Sequence, residues 1–572
     1  MRARQLNGNL PYESDGEQEP LIYNESSSAV VNPSKDSMVG INTIDDRERE
    51  TEPLLDINKV EPLSTSFLPC SNVPKRYTLA IWAFFGFFCL YSMRVNLSVA
   101  IVAMSALNQS VQACPVVHEN STKPPPVRII RFNLSVAIVA MVAPQSALNQ
   151  SVQACPVVHE NSTKPPPTYE FDWEPSKQGL VLGAFFYGYI ITQIIGGMLA
   201  ERFGAKWIFG GSIFISSILT LLTPVAARVD YRLLIAIRVL IGMASGPAFP
   251  SAAALWGKWI PAAERSTVPP AAQTGTSIGI IFTTPLVSIM VEDGFLGGWP
   301  SAFYVFGAIS CIWFIGWCFF GFNSPNVHPR ISKKELNFLN KEIISNPPKH
   351  RYTPWKAMAC CPSLYGIAIN HVCFNFIYYT LLTSLPTYFA TILNFNLHQN
   401  GFIFALPYAA QFITIIIVGQ MVDRIRARKI LSITVLRKAQ AIIGTLGTCA
   451  FLVAIGYMGC DHTTAVICCI LAVGFLGFQT CGPIISHLDI ASNYAGTLVG
   501  ITNMLATIPG FVGPYVVGAI TNNNQTIAAW RLIFNISAGI GAFGCLAYCI
   551  LFNGEEQPWN RVDHKKDEAV NT

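Results

Sequence analysis

The sequence has few charged residues for its length. Aspartate, glutamate, lysine and arginine make up 12% of its 572 residues, whereas apolar residues make up 51%. A soluble domain carries about 25% charged residues, so this composition excludes an ordinary cytosolic enzyme. The formal net charge of +5 is too small over this length for a nucleic-acid-binding protein. The composition indicates a membrane protein with no nucleic acid among its partners.

Two further patterns are missing. Most of the 16 cysteines lie in apolar runs, and no C-x-x-C pair with a matching His or Cys partner occurs, so we expect no metal site and no cofactor. The first 76 residues are polar and acidic and lack the apolar core of a signal peptide. We therefore expect the first membrane span, which starts near Leu79, to act as an internal signal-anchor.

Long apolar runs are what the sequence has in abundance. Twelve of them reach about 20 residues each, the length that a helix needs to cross a ~30 Å hydrocarbon core. Runs of this length differ from the alternating ~10-residue segments of a membrane barrel, so we predict an all-α membrane protein with twelve transmembrane helices. The runs fall near residues 78–104, 177–199, 207–227, 232–256, 270–291, 300–322, 362–390, 399–421, 437–458, 463–485, 493–519 and 527–552.

Basic residues set the expected orientation. Lys75 and Arg76 precede the first run, seven lysines and arginines lie in residues 323–356, and six lie in 422–438. With twelve spans these segments share one side, which the positive-inside rule makes cytosolic, together with both termini. The predicted domains are a cytosolic tail at 1–76, a first six-helix half at 77–322, a central cytosolic loop at 323–356, a second six-helix half at 357–552 and a cytosolic tail at 553–572.

The N-terminal tail carries a sorting pattern. Its 13 acidic and 8 basic side chains and its lack of apolar periodicity indicate disorder. Glu50 stands four residues before the pair Leu54-Leu55, and a weaker copy of this arrangement occupies 17–22. Such segments resemble acidic dileucine signals, so we expect a clathrin adaptor to bind the tail.

The loop between the first two spans, about 105–175, falls on the opposite side of the predicted membrane. N-x-S/T sequons cluster within it and fit a lumenal or extracellular face. We expect glycosylation at Asn108, Asn120, Asn149 and Asn161.

The same loop contains a duplication. Residues 96–126 recur at 133–167 with 31 identical positions, which indicates a recent duplication or a faulty gene model, and both stay open. The apolar stretch of the second copy has about 11 residues and is too short to cross a membrane. We expect Cys114 or Cys155 to form a disulfide with Cys460 on the lumenal side, leaving one thiol over.

One short pattern, G-x-x-x-(D/E)-R, occurs at matching places in the two halves, after the second and after the eighth apolar run. Small residues let helices approach closely, and an acid at a helix end forms charge-assisted hydrogen bonds that lock one conformation. We predict that these residues gate the protein: Gly197, Glu201 and Arg202 in the first half, and Gly419, Asp423 and Arg424 in the second.

Two arginines lie inside the predicted spans. Arg94 is about 15 residues into the first and Arg238 about 5 residues into the fourth, which runs the opposite way, so both reach a similar depth. A membrane-buried arginine costs at least ~2.5 kcal/mol. With no acid in the same spans the pair indicates an anion site, against the alternatives of snorkelling or pairing with backbone carbonyls. Tyr187 and Tyr189 are candidates to line this site, and core packing explains them equally well.

Three polar residues of the second half carry weaker signals. His371, in the seventh span, is a candidate proton relay, and packing in the core is the interpretation we favour. His487 and Asp489 lie close together at a helix end, where we expect a structural hydrogen-bonded turn.

Several runs resemble the sialin-type anion transporter family of the major facilitator superfamily. They include F-Y-G-Y-I-I-T-Q at 186–193, L-P-T-Y at 385–388 and H-L-D-I-A at 487–491, and the likeness covers nearly all of 77–552. The family includes carriers of sialic acid, glutamate, phosphate and urate. The resemblance implies the twelve-helix fold in two six-helix halves and transport by alternating access.

The resemblance also implies roles for residues. It makes Arg94 and Arg238 the groups that bind the substrate anion, assisted by the 187–189 region. Family members carry two glutamates in the fourth span that are implicated in proton coupling, and these positions are Ile241 and Ser245 here. Because carboxylates are the usual proton carriers, coupling to a proton, to sodium or to membrane potential stays open.

We therefore expect a secondary active transporter and not an enzyme. Its predicted substrates are small organic anions, either sialic-acid-like acidic sugars or acidic amino acids. Its predicted location is the lipid bilayer of lysosomes or of synaptic or secretory vesicles. Two alternatives stay open, a plasma-membrane, sodium-dependent phosphate or urate carrier and a non-transporting sensor on the same fold.

Overall fold

The computed structural model describes residues 73–104, 170–171, 175–292, 294–343, 353–393, 395, 397–521 and 526–560 of the chain. Twelve long helices make up most of these residues, and each coincides with one predicted apolar run to within a few residues at either end. Cys460 is described and is disulfide-bonded. The other residues predicted for sorting, glycosylation and the loop disulfide lie outside the described part: Glu50, Leu54, Leu55, Asn108, Cys114, Asn120, Asn149, Cys155 and Asn161.

The first half contains six helices that are long and apolar enough to cross a membrane. Two of them are interrupted, one at Gly246 and Pro247 and one at Thr274, which is tolerated where neighbouring helices satisfy the freed backbone groups. The helices are α1 Lys75–Met104, α2 Pro175–Phe203, α3 Ala205–Val229, α4 Tyr231–Trp259, α5 Val268–Val291 and α6 Ser301–Phe320.

The second half repeats this arrangement after the central loop. Its helices are α7 Pro362–Thr391, α8 Leu397–Ala427, α9 Ile433–Ile455, α10 His462–Ile490, α11 Ser492–Thr521 and α12 Ile527–Leu551. The prediction of twelve transmembrane helices in two halves of six is therefore confirmed as the fold.

Helix α7 is the polar member of the set. Eleven of the described helices pass a test of length and apolar composition for crossing a membrane, and α7 is not among them. Its 30 residues still extend about 45 Å, more than the ~30 Å hydrocarbon core. Its polar side chains are buried inside the protein, among them Asn370, His371, Asn375, Thr380 and Ser384. The polar face of α7 is thus turned into the bundle.

Each half supplies most of one large apolar cluster. In the first, the ring of Phe209 on α3 contacts Phe87 of α1 and Trp317 of α6. In the second, Tyr388 of α7 contacts Trp530 of α12. Each cluster also includes buried residues of the other half, such as Leu488 in the first and Tyr91 in the second, so the two halves pack against each other.

The central loop contains a helix that the sequence did not indicate. Ser332 caps the helix Lys333–Glu342 by accepting a hydrogen bond from the backbone N–H of Glu335 at 3.1 Å. The carboxylate of Glu335 then accepts from the backbone N–H groups of Lys75 (2.8 Å) and Arg76 (3.2 Å). The helix therefore satisfies the free N–H groups at the start of α1 and holds the central loop against the first half.

The two ends of the loop after α1 lie together. The backbone N–H of Phe171 donates to the carbonyl of Met104 at 2.8 Å. Glu170 accepts hydrogen bonds from Arg228 Nε and Trp299 Nε1, both at 2.8 Å. The bond from Arg228 holds the pKa of Glu170 below its usual range. The chain therefore leaves and re-enters the bundle at one place, whatever the length of the loop between.

Candidate functional site

A cavity of about 120 Å³ lies between the two halves. Helices α1, α2, α4 and α5 line it from the first half, and α7, α8, α10 and α11 line it from the second. Aromatic rings form much of its wall: Tyr91, Tyr189, Phe249, Trp256, Phe374, Tyr378 and Tyr379.

The polar part of the wall is neutral. Among the described residues that line the cavity, none is Asp, Glu, Lys or Arg. Hydroxyl, amide and imidazole groups supply its hydrogen bonds: Gln273, Thr274, Thr276, Ser277, His371, Asn375, Gln411, Thr480, His487 and Asn503. Such groups orient a polar ligand by hydrogen bonding, but a charged ligand needs its countercharge from elsewhere.

Arg94 lies directly behind this wall. Its Cζ is 5.4 Å from the ring centroid of Tyr91, 5.3 Å from that of Tyr189 and 5.8 Å from that of Tyr379. A guanidinium over an aromatic face is held by the electrostatic field of the ring. Because these three tyrosines line the cavity, the charge of Arg94 is separated from the cavity by a single layer of side chains.

Arg238 shares an aromatic neighbour with Arg94. The Cζ of Arg94 is 4.8 Å, and that of Arg238 5.5 Å, from the centroid of Phe185. Arg94 Nη2 and Arg238 Nε are both buried and have no hydrogen-bond partner among the described residues. Buried donors without an acceptor are costly and call for an explanation. The structure thus brings together the two arginines whose similar depth was read from the sequence.

The described residues supply no carboxylate partner to this pair. Within the part of the chain that the structure describes, neither arginine takes part in an ion pair. Ile241 belongs to the buried apolar cluster of Phe185, and the hydroxyl of Ser245 is 2.9 Å from that of Ser216. Within the described part of the chain, two positive charges therefore stand in a low-dielectric region without a fixed counterion, which favours a bound anion.

The prediction for Tyr187 needs a correction. Tyr187 is 58% exposed, points away from the bundle interior and is absent from the cavity wall, whereas Tyr189 is 3% exposed and lines it. Residues two apart on a helix point about 200° apart, so only one of the two tyrosines can face the cavity. The amide of Asn503 on α11 donates to the Tyr189 hydroxyl at 3.3 Å, which links the two halves at the wall.

The first G-x-x-x-(D/E)-R pattern joins α2 to α11. A Cβ on Gly197 would overlap the carbonyl of Gly496, so glycine is what permits this approach. Four residues later, Glu201 accepts hydrogen bonds from the backbone N–H and the hydroxyl of Thr497, both at 2.7 Å. The carboxylate thereby caps the N-terminus of a helix that belongs to the opposite half.

The second pattern makes the equivalent contact from α8 to the first half. A Cβ on Gly419 would lie 2.6 Å from the carbonyl of Ser266, in the segment just before α5. Asp423 accepts from the backbone N–H of Ser266 at 3.1 Å. The acids of both patterns therefore bind backbone groups of the other half, and together they close one end of the bundle, hereafter the motif end.

The arginines of the two patterns lie elsewhere. Arg424 donates to Gln420 on its own helix at 3.2 Å, and the Cζ of Arg202 is 5.8 Å from the ring centroid of Phe203. The closing contacts given above are made by the glycine and the acid of each pattern.

An ion cluster at the motif end escaped the sequence analysis. The buried carboxylate of Asp489 is 2.8 Å from Arg437 Nε, 3.2 Å from Arg426 Nη1 and 3.8 Å from Arg265 Nη1. Arg265 belongs to the first half, and Arg437 also donates to Ser266 of that half at 3.0 Å. The sequence could have indicated this cluster only through its composition, because 422–438 is rich in basic residues and Asp489 is an isolated acid at the end of α10.

Two histidines of the cavity wall, His371 and His487, contact the same threonine, Thr502. His371 Nδ1 is 3.3 Å, and His487 Nε2 is 2.8 Å, from Thr502 Oγ1. His487 Nδ1 is 2.9 Å from the carbonyl of Ile484. The sequence offered His371 as a relay or a packing residue and His487 as part of a turn. It gave no sign that they share a partner.

Comparison with known proteins gives a consistent result. The Major Facilitator Superfamily model matches residues 83–514. Sialin of Homo sapiens is 37% identical over 495 residues, which cover 86% of this chain and 91% of that protein. Sialin of Ovis aries is 36% identical over 490 residues, with 86% and 92% covered. Vesicular glutamate transporter 3 of Danio rerio is 34% identical over 507 residues, with 87% and 76% covered.

Solved structures support the same fold. The chain resembles the proton:xylose symporter XylE with a TM-score of 0.57 at 14% identity, covering 84% of this chain and 97% of that one. It resembles the fucose:proton symporter FucP with a TM-score of 0.51 at 12% identity, covering 82% and 98%. At this level of identity the likeness concerns the fold alone.

Proposed function

The chain belongs to the major facilitator superfamily, and from that premise we propose that it carries small organic anions across an intracellular membrane by alternating access. It is an integral membrane transporter, not an enzyme. The anion we propose bears a carboxylate on a polar body, as in sialic-acid-like sugars or acidic amino acids. The similarity to sialin and to a vesicular glutamate transporter supports this class of substrate.

One observation carries the proposal. Arg94 lies behind one layer of the cavity wall and Arg238 shares the ring of Phe185 with it, and both have unpaired donors and no carboxylate partner among the described residues. A carboxylate that enters from the cavity gains two charge-assisted interactions in a low-dielectric setting. The neutral side chains of the wall, such as Asn375 and Gln411, then hydrogen-bond the hydroxyl, amide or amine groups of the substrate.

The gate follows from the contacts at the motif end, which we place on the cytosolic side because of its basic loops. Glu201 and Asp423, with the cluster around Asp489, hold the two halves together there. Alternating access requires these bonds to break as the halves rock and the opposite end closes. The domain boundaries predicted from the sequence, at 77–322 and 357–552, are the two moving bodies in this proposal.

For the location we propose lysosomes or secretory or synaptic vesicles. The support is the pattern of Glu50, Leu54 and Leu55, read by a clathrin adaptor on the cytosolic face. Changing Leu54 and Leu55 to alanine moves the protein to the plasma membrane on this account. A wild-type protein that already resides at the plasma membrane would instead favour the phosphate or urate carriers.

The test is uptake into liposomes that contain the purified protein. Labelled sialic acid, glutamate, urate and phosphate are offered in turn, with pH gradient and membrane potential varied separately. We expect uptake of sialic acid or glutamate and little of phosphate. Selective uptake of phosphate would reject the organic-anion assignment, and absence of uptake and exchange for every anion would point to the non-transporting sensor.

A further inference from the structure

The histidine pair of the cavity wall forms a directed hydrogen-bond chain. His371 lies on α7, His487 on the short helix Ser486–Ile490 at the end of α10, and Thr502 on α11. All three are at least nine-tenths buried. Three separate helices therefore converge on one hydroxyl, and both imidazoles belong to the wall of the cavity.

The carbonyl of Ile484 fixes the protonation of the chain. A carbonyl only accepts, so His487 Nδ1 carries a proton and donates to it at 2.9 Å. The neutral ring then accepts at Nε2 from the Thr502 hydroxyl at 2.8 Å. The Thr502 hydroxyl is also 3.4 Å from the carbonyl of Val499, a longer contact than the one to His487. With its proton directed at His487, Thr502 Oγ1 accepts from His371 Nδ1–H at 3.3 Å. This leaves His371 Nε2 as the free basic atom of the chain.

Few charged groups face the pair. The titratable groups of the surrounding wall are tyrosines: Tyr91 of α1, Tyr189 of α2, and Tyr378 and Tyr379 of α7. From α4, α5, α8 and α11 the described wall presents neutral residues, such as Trp256, Gln273, Gln411 and Asn503. On α12, Tyr548 hydrogen-bonds Ser486, beside His487.

Two groups of fixed charge described above bear on the pair. Asp489 follows His487 by two residues and is bound by Arg265, Arg426 and Arg437. Arg94 lies behind the tyrosines of the wall. An imidazolium in this position therefore has no carboxylate of its own in the described wall, and a substrate carboxylate in the cavity would be its counterion.

We propose that His371, Thr502 and His487 form the proton-binding site of this transporter, which takes up one proton together with the substrate anion. The proposal rests on the anion transport proposed above and names its coupling ion. The two histidines and the threonine that they share are hereafter the histidine pair. The pair binds the coupling proton in place of the carboxylates that family members carry in α4, where this chain has Ile241 and Ser245.

The proton moves through the pair without net change in the threonine. A proton from the cavity binds His371 Nε2. The proton on His371 Nδ1 then passes to Thr502 Oγ1, while the hydroxyl proton passes to His487 Nε2. His371 ends neutral with its proton on Nε2, Thr502 is restored, and His487 carries the positive charge.

The charge arrives on the helix that holds the gate. His487 and Asp489 both lie on the five-residue helix Ser486–Ile490, and Asp489 binds Arg265 of the opposite half. A positive charge two residues away competes with the three arginines for that carboxylate and weakens the bond between the halves. Proton and anion binding thereby favour opening of the motif end.

Accumulation driven by a pH gradient tests the proposal. Liposomes containing the full chain receive a gradient of two pH units, with the membrane potential clamped at zero. The labelled substrate is sialic acid, or glutamate if the uptake test with four anions shows that glutamate is the one transported. One proton per monovalent anion gives about 100-fold accumulation, because each factor of ten corresponds to 1.4 kcal/mol. We expect the wild type to approach this ratio, and His371→Gln, His487→Gln and Thr502→Val to stop near equal concentrations on both sides.

Exchange of labelled for unlabelled anion, without any gradient, shows that the variants are folded and still carry substrate. His462→Gln, at the start of α10, and Thr223→Val, whose hydroxyl bonds its own helix, are the matched controls and accumulate as the wild type does. Thr502→Ser keeps the hydroxyl and restores accumulation.

Three results overturn the proposal, in two distinguishable ways. A wild type that exchanges anion but does not respond to the pH gradient, or a Thr502→Val variant that accumulates fully, rejects the histidine pair and leaves anion transport intact. A wild type without exchange or uptake of any anion rejects the proposed function itself.

Discussion

Arg94 and Arg238 lie over the same aromatic ring, that of Phe185, at 4.8 and 5.5 Å from its centroid. Phe185 belongs to α2, between α1 and α4, which carry the arginines. Among the residues that the structure describes, no carboxylate pairs with either arginine, so the ring of Phe185 is the group that both charges share. This arrangement is the basis of the anion site and gives the first prediction.

Phe185→Leu should weaken substrate binding more than Phe186→Leu. A cation–π contact contributes about 0.5–2 kcal/mol, and Phe185 contacts both arginines, whereas Phe186 contacts Arg94 alone at 5.0 Å. We expect the KM for anion uptake to rise about tenfold or more for Phe185→Leu, since 1.4 kcal/mol corresponds to a factor of ten. Equal KM values for the two variants would argue against a shared role for the ring.

The two tyrosines of α2 provide a matched pair. Tyr189→Ala removes a cavity wall that Arg94 and Asn503 both contact, so we expect a strong loss of uptake. Tyr187→Ala removes an outward-facing side chain and should leave uptake at the wild-type level. Initial rates, normalised to protein in the liposomes, measure both. The reverse result would place the other face of α2 at the cavity.

The gate can be tested at its glycines. Gly197→Ala puts a Cβ onto the carbonyl of Gly496 and should push the halves apart at the motif end. Spin labels at the ends of α2 and α8 measure this as a shift of the distance distribution to longer values. Gly211→Ala on α3 is the control, because a Cβ there meets nothing within 4 Å. A distribution unchanged in Gly197→Ala would show that the halves do not touch there in solution.

The duplicated loop segment should be dispensable. The ends of the whole loop are joined by the hydrogen bond from Phe171 to Met104. Shortening the loop therefore leaves the bundle as it is. Removing residues 127–167 changes the loop-closure free energy by only about 1 kcal/mol, since the cost rises slowly with length. We expect normal uptake and the loss of the two glycan-dependent mobility shifts at Asn149 and Asn161. Loss of folding would show that the second copy has a structural role.

Much of the fold could be predicted from the sequence because it depends on local apolar content. The twelve runs gave the twelve helices, and counting residues from the predicted membrane surfaces placed Arg94 and Arg238 at similar depth. Hydropathy also detected α7, although its polar residues include His371 and Asn375. Helix 333–342 was missed, since a polar amphipathic segment inside a basic loop carries little apolar signal.

The rest depends on contacts between distant residues. Asp489 and Arg265 are 224 positions apart, and no pattern in either segment names the other. The same holds for His371 and His487, which meet only through Thr502. The error at Tyr187 has a simpler cause, because its helix is apolar nearly all round and periodicity does not choose between residues two apart.

Uptake by the Arg94→Ala variant tests the central claim most directly. The protein is reconstituted in liposomes beside the wild type and beside Arg228→Ala, an exposed arginine at the end of α3 that pairs with Glu170. The account predicts that Arg94→Ala abolishes uptake of sialic acid and glutamate while its abundance stays normal, and that Arg228→Ala transports as the wild type does. Normal uptake by Arg94→Ala would contradict the assignment of this cavity as an anion-binding site.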